Sequence, residues 1–286
     1  MKLRNNKRVC WATGLCGLLT VLVSPTVAFA QQQSSSTAKS SSSSAGRTAM
    51  INPEADRIFK ETSALISQAK SFSVSAEVWE DEVVGAHKVA TSKTVDVKLR
   101  RPNLLQVEGR SPRHTRGFWL NGKTLTILDR TNNLYGTVPV TGTIDEVLDT
   151  AQDRFGITFP LEDFLVSDPY EAMAHIKGGA YLGKATILGT ACKYVAFSTD
   201  KVDWQLWVDT AQGLPRKLVI TYKDEKTQPQ YTAIFSNWKL NAELPDATFT
   251  FTPPKGASKI EIVPAMAQLS PTGRTNEPPN KSPSNK

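Results

Sequence analysis

The spacing of apolar residues changes several times along the chain, and each change predicts a new element. Ala55, Ile58, Phe59, Thr62, Leu65, Ile66 and Ala69 recur at intervals of three and four, which places them on one face of an α-helix. Asn52-Pro53-Glu54 supplies its start: a capping side chain, a proline at the first helical position and an acid near the positive end of the dipole. From Phe72 the period falls to two. Phe72, Val74, Ala76 and Val78 alternate with Ser73, Ser75, Glu77 and Trp79, and Val95, Val97 and Leu99 alternate with Thr94, Asp96, Lys98 and Arg100. This alternation predicts antiparallel strands with one buried face. Further strands are predicted at 104–108, 116–120, 124–129 and 134–138, with Asn121-Gly122 and Asn132-Asn133 as turns.

The strand rhythm stops between Thr143 and Ile176. Ile144, Val147, Leu148, Ala151 and Phe155 have helical spacing, and Gly156 ends that helix. Pro160-Leu161-Glu162-Asp163-Phe164-Leu165 and Pro169-Tyr170-Glu171-Ala172-Met173 open two more. Strands resume at 180–188, 191–198, 203–208, 216–222, 230–239 and 249–252. No propeller or solenoid repeat is present. The expected fold is mainly β with α, in the α+β class: a large curved antiparallel sheet with helices laid over one face. The inner face of such a sheet is too wide for its own side chains to fill, so an apolar cavity is expected.

The ends of the chain divide it further. Residues 1–8 carry four positive charges and no acid, an apolar stretch runs to Val27, and Ala28-Phe29-Ala30 gives the small-x-small pattern of a signal peptidase site. Residues 1–30 are therefore expected to be a cleaved signal peptide directing the protein to the periplasm. A membrane anchor is the alternative, but the run is short for a span and lacks basic stop-transfer residues, so no stable span is expected after cleavage. Residues 31–49, rich in Ser, read as a flexible linker; 50–264 as the folded domain; and 265–286, rich in Pro, Asn and Ser, as a disordered tail.

These boundaries change the meaning of the charge. The formal net charge is +7, yet residues 1–30 hold +4, residues 31–49 hold +2 and residues 265–286 hold +2, which leaves the folded segment at −1. It has no basic footprint for nucleic acid. Of three cysteines only Cys192 follows the signal peptide, so no internal disulfide can form. Cys192 is either a small buried apolar residue on a strand or a reactive thiol.

Arg100-Arg101-Pro102-Asn103-Leu104-Leu105, Asn121-Gly122-Lys123-Thr124-Leu125 and the closing Ala247-Thr248-Phe249-Thr250-Phe251-Thr252-Pro253-Pro254-Lys255-Gly256 resemble the periplasmic lipoprotein carrier LolA and its superfamily. Asp203-Trp204-Gln205-Leu206-Trp207-Val208, Leu214-Pro215-Arg216-Lys217-Leu218 and Phe235-Ser236-Asn237-Trp238 are similar to a bacterial family of predicted periplasmic proteins of unknown function, DUF2092, in the same superfamily. The resemblance covers residues 50–262 or so. It implies a LolA-like half-barrel whose apolar inner face, under lid helices, receives acyl chains. It also implies a latch, in which Arg101 holds the lid through hydrogen bonds to lid backbone. A guanidinium, with several donors and a permanent charge, suits that task. The plain alternative for Arg101 is an exposed charge ending a strand before Pro102.

The ligand-binding candidates are Arg101, Trp79, Trp119, Phe159, Leu165, Trp204, Trp207 and Phe235. The tryptophans are either core filler or a rigid wall for acyl chains, and Trp204 and Trp207, differing in parity, cannot both face inward. The dense apolar run Phe155, Ile157, Phe159, Leu161, Phe164, Leu165 covers the sheet, serves as a lid, or does both. Glu80-Asp81-Glu82 reads as a solvated turn between strands rather than a cation site. His87, His114 and His175 fit no metal spacing, and neither a nucleophile elbow nor a phosphate loop is present, so no catalytic residue, metal or cofactor is expected. The expected ligand is an acyl chain, a lipid or a lipoprotein. An envelope protein partner is the alternative, and the protein is expected to be monomeric. Mass spectrometry of the exported protein is expected to find Gln31 at the mature N-terminus; retention of residues 1–30 would refute the cleavage.

Overall fold

The computed structural model describes residues 51–172 and 175–264. The expected signal peptide, linker and tail lie outside the described residues.

The Asn52 side chain accepts from the backbone N–H groups of Glu54 and Ala55 at 2.9 and 3.1 Å, satisfying two otherwise unpaired donors at the start of α1 (Pro53–Gln68). Ala55, Ile58, Phe59, Thr62, Ser63 and Ile66 are buried along one side of it. Leu65 lies at the margin of that face, half exposed beside Gly213. The first run of strands is β1 (Ser71–Val84), β2 (His87–Arg100), β3 (Leu104–Arg110), β4 (Thr115–Asn121), β5 (Thr124–Asp129) and β6 (Leu134–Pro139). Three helices follow: α2 (Ile144–Phe155), α3 (Glu162–Leu165) and α4 (Pro169–Ala172). Thr143 and Glu146 form a reciprocal capping box at the start of α2, and Gly156 at φ 67° closes it in the left-handed conformation that glycine reaches without strain. The second run is β7 (Gly178–Ile187), β8 (Thr190–Ser198), β9 (Val202–Asp209), β10 (Pro215–Tyr222) and β11 (Gln230–Leu240), with a short β12 (Ser258–Lys259) near the end.

All twelve strands form one open sheet in the order β12-β6-β5-β4-β3-β2-β1-β11-β10-β9-β8-β7. Every pairing is antiparallel except that of β12 with β6. Each run is a meander, and the two meet at β1, where Phe72 faces Leu99 on one side and Leu240 on the other. The first meander steps outward to β6 and the second starts at the far edge with β7. The connection through α2, α3 and α4 must therefore cross nine strands to join them. It does so on the same side as α1, and the main core lies between these helices and the sheet.

Two expectations are corrected. Glu80-Asp81-Glu82 is not a turn but part of β1, paired with Thr91, Ala90 and Val89 of β2. The hairpin projects beyond the helices with neither face fully covered, so it carries no apolar alternation. Cross-strand ion pairs of Glu80 with Lys93 at 2.7 Å and Asp81 with Lys88 at 2.8 Å take its place. The expected strand at 249–252 is a 3-10 turn at Asp246–Phe249 followed by irregular chain. Pro253 and Pro254 cannot donate to a ladder, and Phe251 instead lies against Trp119 and Tyr135, at 5.1 and 5.2 Å between ring centres.

Gly117 permits this cover on the face away from the helices. A Cβ there would come within 2.3 Å of the Trp119 ring, whereas one on Gly109 would meet nothing within 4 Å. Gly117→Ala is expected to destabilise the protein by about 1–3 kcal/mol in chemical denaturation. Gly109→Ala should stay within about 0.5 kcal/mol of wild type. Equal effects of the two would contradict this packing.

Candidate functional site

Strand parity divides the sheet into a helix-covered face and an open face. Antiparallel register carries a row of side chains across the covered face: Phe197 opposite Trp204, Trp204 opposite Ile220, and Ile220 opposite Tyr231. Further along the strands, Leu206, Leu218 and Ala233 form the next row, and Phe235 continues it on β11. Helix side chains fill the space above them. Phe59 of α1 meets Trp204 edge-on at 4.9 Å and Phe197 at 5.6 Å. Phe164 of α3 stands edge-on to Phe235 at 5.3 Å, and Phe159 lies 4.8 Å from Phe118. Burying such side chains contributes about 1.5–3 kcal/mol each, and aromatic pairing adds about 0.5–1.5 kcal/mol.

The segment over Phe235 is held differently from α1. It consists of two four-residue helices, too short for stable helicity of their own, joined by irregular chain. Leu161, at the start of α3, sits in the left-handed region at φ 60°, a conformation that costs a non-glycine residue roughly 1–2 kcal/mol. Several polar contacts tie the segment down. The first is from Arg101, whose Nη2 donates to the Val166 carbonyl at 3.0 Å while its backbone N–H donates to Lys70 at 2.8 Å. Burial pulls the Arg101 pKa down and the nearby Asp145 carboxylate opposes it, so the guanidinium remains charged. Secondly, Asp145 accepts from the Ser167 backbone N–H at 2.9 Å and from its hydroxyl. Thirdly, the Tyr170 hydroxyl donates to Asp56 of α1 at 2.7 Å. The adjacent Arg100 points to the opposite face, bonding the Leu244 carbonyl at 2.9 Å and Asp246.

The structure thus brings Arg101, Phe159, Leu165, Trp204 and Phe235 together on the covered side, the last four nearly excluded from solvent. Three other candidates lie away from this group, because each is one residue from a buried covered-face residue and points the other way. Trp79, next to Val78, is 40% exposed on the open face, where its indole N–H donates to Glu77 at 2.8 Å. Trp119, between Phe118 and Leu120, lies under Phe251. Trp207, between Leu206 and Val208, stacks on Tyr194 at 4.3 Å with Lys217 over its ring, beside Cys192 and Val219. Cys192 is fully buried, and desolvation raises its thiol pKa, which fits a packing residue. Sequence reasoning missed Phe59, Phe197, Ile220 and Tyr231. Tyr231 has the parity of Ala233 and Phe235, which was the available signal.

Among the described residues no group of three or more His, Cys, Asp or Glu could hold a metal ion, and no helix is long and apolar enough to cross a membrane. What the geometry defines is an open sheet whose apolar face is packed partly beneath a capped helix and partly beneath a lightly tied connection. The chain belongs to the DUF2092 family, described as predicted periplasmic proteins, whose model matches residues 55–263, and its localisation is accordingly periplasmic. Comparison with curated proteins finds no match. Among solved structures it is similar to LprF from Mycobacterium bovis, at 15% identity and TM-score 0.42, covering 73% of this chain and 99% of that one. It is also similar to a LolA superfamily protein from Nitrosomonas europaea, at 13% identity and TM-score 0.34, covering 69% and 97%. A third similarity is to the MucA/MucB complex of Pseudomonas aeruginosa, at 12% identity and TM-score 0.39, covering 70% and 61%.

The Tyr170 tie has a pH signature. Its bond to Asp56 pushes the phenol pKa from 10.0 up to about 12. A proton held more tightly by the folded state stabilises it fully below pH 10 and loses that effect as pH rises through about 12. Ultraviolet difference titration of wild type against Tyr170→Phe is expected to show one phenol ionising near 12; a midpoint at 10 would mean the tie is absent.

Proposed function

We propose that the protein is a non-catalytic periplasmic binding module that holds a lipid-like ligand, either free lipid or the acyl chains of a lipid-modified protein, in a half-barrel under the helices. In this reading α3 and α4 are a lid and Arg101 is its latch. The observation that carries it is the Arg101 bond to the Val166 carbonyl, which with the Asp145 and Tyr170 ties holds a short segment whose Phe164 lies over Phe235. Lifting that segment exchanges Phe164 for ligand methylenes, each contributing on the order of 0.8 kcal/mol when removed from water.

Arg101→Leu removes a bond made only by the closed lid, so it should shift the equilibrium towards the open, binding form. A bond to a charged group contributes about 1.5–3 kcal/mol, so affinity for a fluorescent acyl probe is expected to rise roughly tenfold or more. Native mass spectrometry of protein purified from the envelope should also show retained lipid. Absence of lipid, together with no probe binding by wild type or variant, would defeat the proposal.

A second reading, an envelope protein-interaction or sensor domain, is favoured by the tip of the β1–β2 hairpin, where Val83 and Val84 are more than half exposed. Recovery of one stoichiometric partner by lipid-free protein, abolished by Val84→Asp, would support it; retention of the partner by that variant would count against it.

A further inference from the structure

β7 forms one outer edge of the sheet, and an edge strand presents main-chain donors and acceptors that no neighbour uses. Its far side is occupied at one point, where Ile51 bridges to Gly179 and the Asn52 N–H donates to the Gly179 carbonyl at 2.9 Å. A bulge between Tyr181 and Gly183 separates that point from the rest of the strand. Beyond it the register shows which groups face outward. Ile187 and Thr190 flank the two-residue turn Leu188-Gly189, both at positive φ, 46° and 79°. Ile187 and Thr190 therefore exchange main-chain bonds, and so do Ala185 and Cys192, which leaves Lys184 and Thr186 with their N–H and C=O groups turned away from β8. The Ala191 carbonyl, opposite Thr186, accordingly accepts from Thr210 at the end of β9 at 3.0 Å. Among the described residues no main-chain bond reaches the outward groups of Lys184 and Thr186.

The side chains along this stretch indicate what would add to it. Leu182 and Leu188 stand at its two ends, 48% and 74% exposed. Between them Lys184 lies directly opposite Lys193 on β8, two like charges facing each other across the strands, an arrangement that costs stability unless an acid joins them. Glu54, the acid whose charge reaches Lys193, is itself paired with Arg57 at 2.6 Å. We infer that β7 is a docking edge for an extended peptide segment of a partner protein, which adds as a further strand along 182–187 and sets a carboxylate opposite Lys184. The main-chain groups of Lys184 and Thr186 hold the added strand, the acid meets Lys184 directly with Lys193 one strand beyond, and apolar neighbours in the peptide cover Leu182 and Leu188. A second copy of this chain is the poorer occupant, because antiparallel β7–β7 pairing along this stretch brings the Lys184 side chains of both copies together on one face. The edge is separate from the helix-covered face and from the β1–β2 tip, so such a partner binds whether or not the covered face holds a ligand.

The probes are random seven-residue peptides displayed on phage and selected against the purified full chain, then synthesised with a fluorescein label for anisotropy titration. Selection is expected to enrich β-branched sequences with an acid near the centre. Thr186→Pro removes an outward N–H that nothing bonds in the free protein, a substitution an edge strand tolerates, and should weaken these peptides tenfold or more with the melting temperature preserved. Lys184→Glu should weaken them about three- to tenfold at low salt. The same peptides with alternate amides N-methylated should lose binding to wild type, a readout that needs no variant to fold. No enrichment, binding that survives N-methylation or Thr186→Pro, or indifference to Lys184→Glu would overturn the inference. A dimer in solution that Thr186→Pro dissociates would overturn it in favour of a second copy.

Discussion

The pairing of β1 with β11 is the constraint from which the rest of the architecture follows. Two meanders could have formed two separate sheets; because β1 takes β2 on one side and β11 on the other, they form one. The same pairing sends β6 and β7 towards opposite edges. The chain between them then has to traverse the sheet, and the apolar side chains of that traverse are what roof it. The roof is thus a product of connectivity, and the packing of α2, α3 and α4 over the sheet follows from it.

The roof is not uniform in strength. α1 is capped, sixteen residues long and buried along a full face, with Phe59 set between Trp204 and Phe197. α3 and α4 are single turns, entered through a left-handed Leu161 and secured by Arg101, Asp145 and Tyr170. Free energies of local opening follow such differences, because a segment with few buried contacts and few polar ties detaches at a fraction of the cost of global unfolding. The covered face can therefore be tightly packed at rest and still accessible in part.

Parity decided how much of this was legible beforehand. Strict alternation in Phe72 to Val78 and Val95 to Leu99 made the sheet and its buried side readable, and capping chemistry at Asn52 and Gly156 fixed helix ends. The same rule assigns Trp79 and Trp119 to the open face, since each neighbours a buried residue of the other parity; residue type alone misleads there. The hairpin beyond Trp79 was hidden for another reason: neither of its faces is fully covered, so ion pairs rather than apolar alternation mark it as strand. Phe249 and Phe251 alternate as strand residues do, but two prolines and a nearby aromatic surface draw them into a wrapping segment. The aromatic cover over Trp204 comes from Phe59 of α1, and no local pattern in β9 encodes it.

The ends of the described chain are fastened to opposite rims. Ile51 bridges to Gly179 on β7, while at the other rim Ser258 of β12 donates to the Asn133 carbonyl just before β6 and Ile260, just after β12, donates to Tyr135 of β6. Tension applied between these ends therefore pulls on the outermost strands first, one at each rim, and reaches the central β1–β11 seam last. Under load the molecule would peel from both margins inward, with the covered face between α1 and the middle strands the last region to lose its shape.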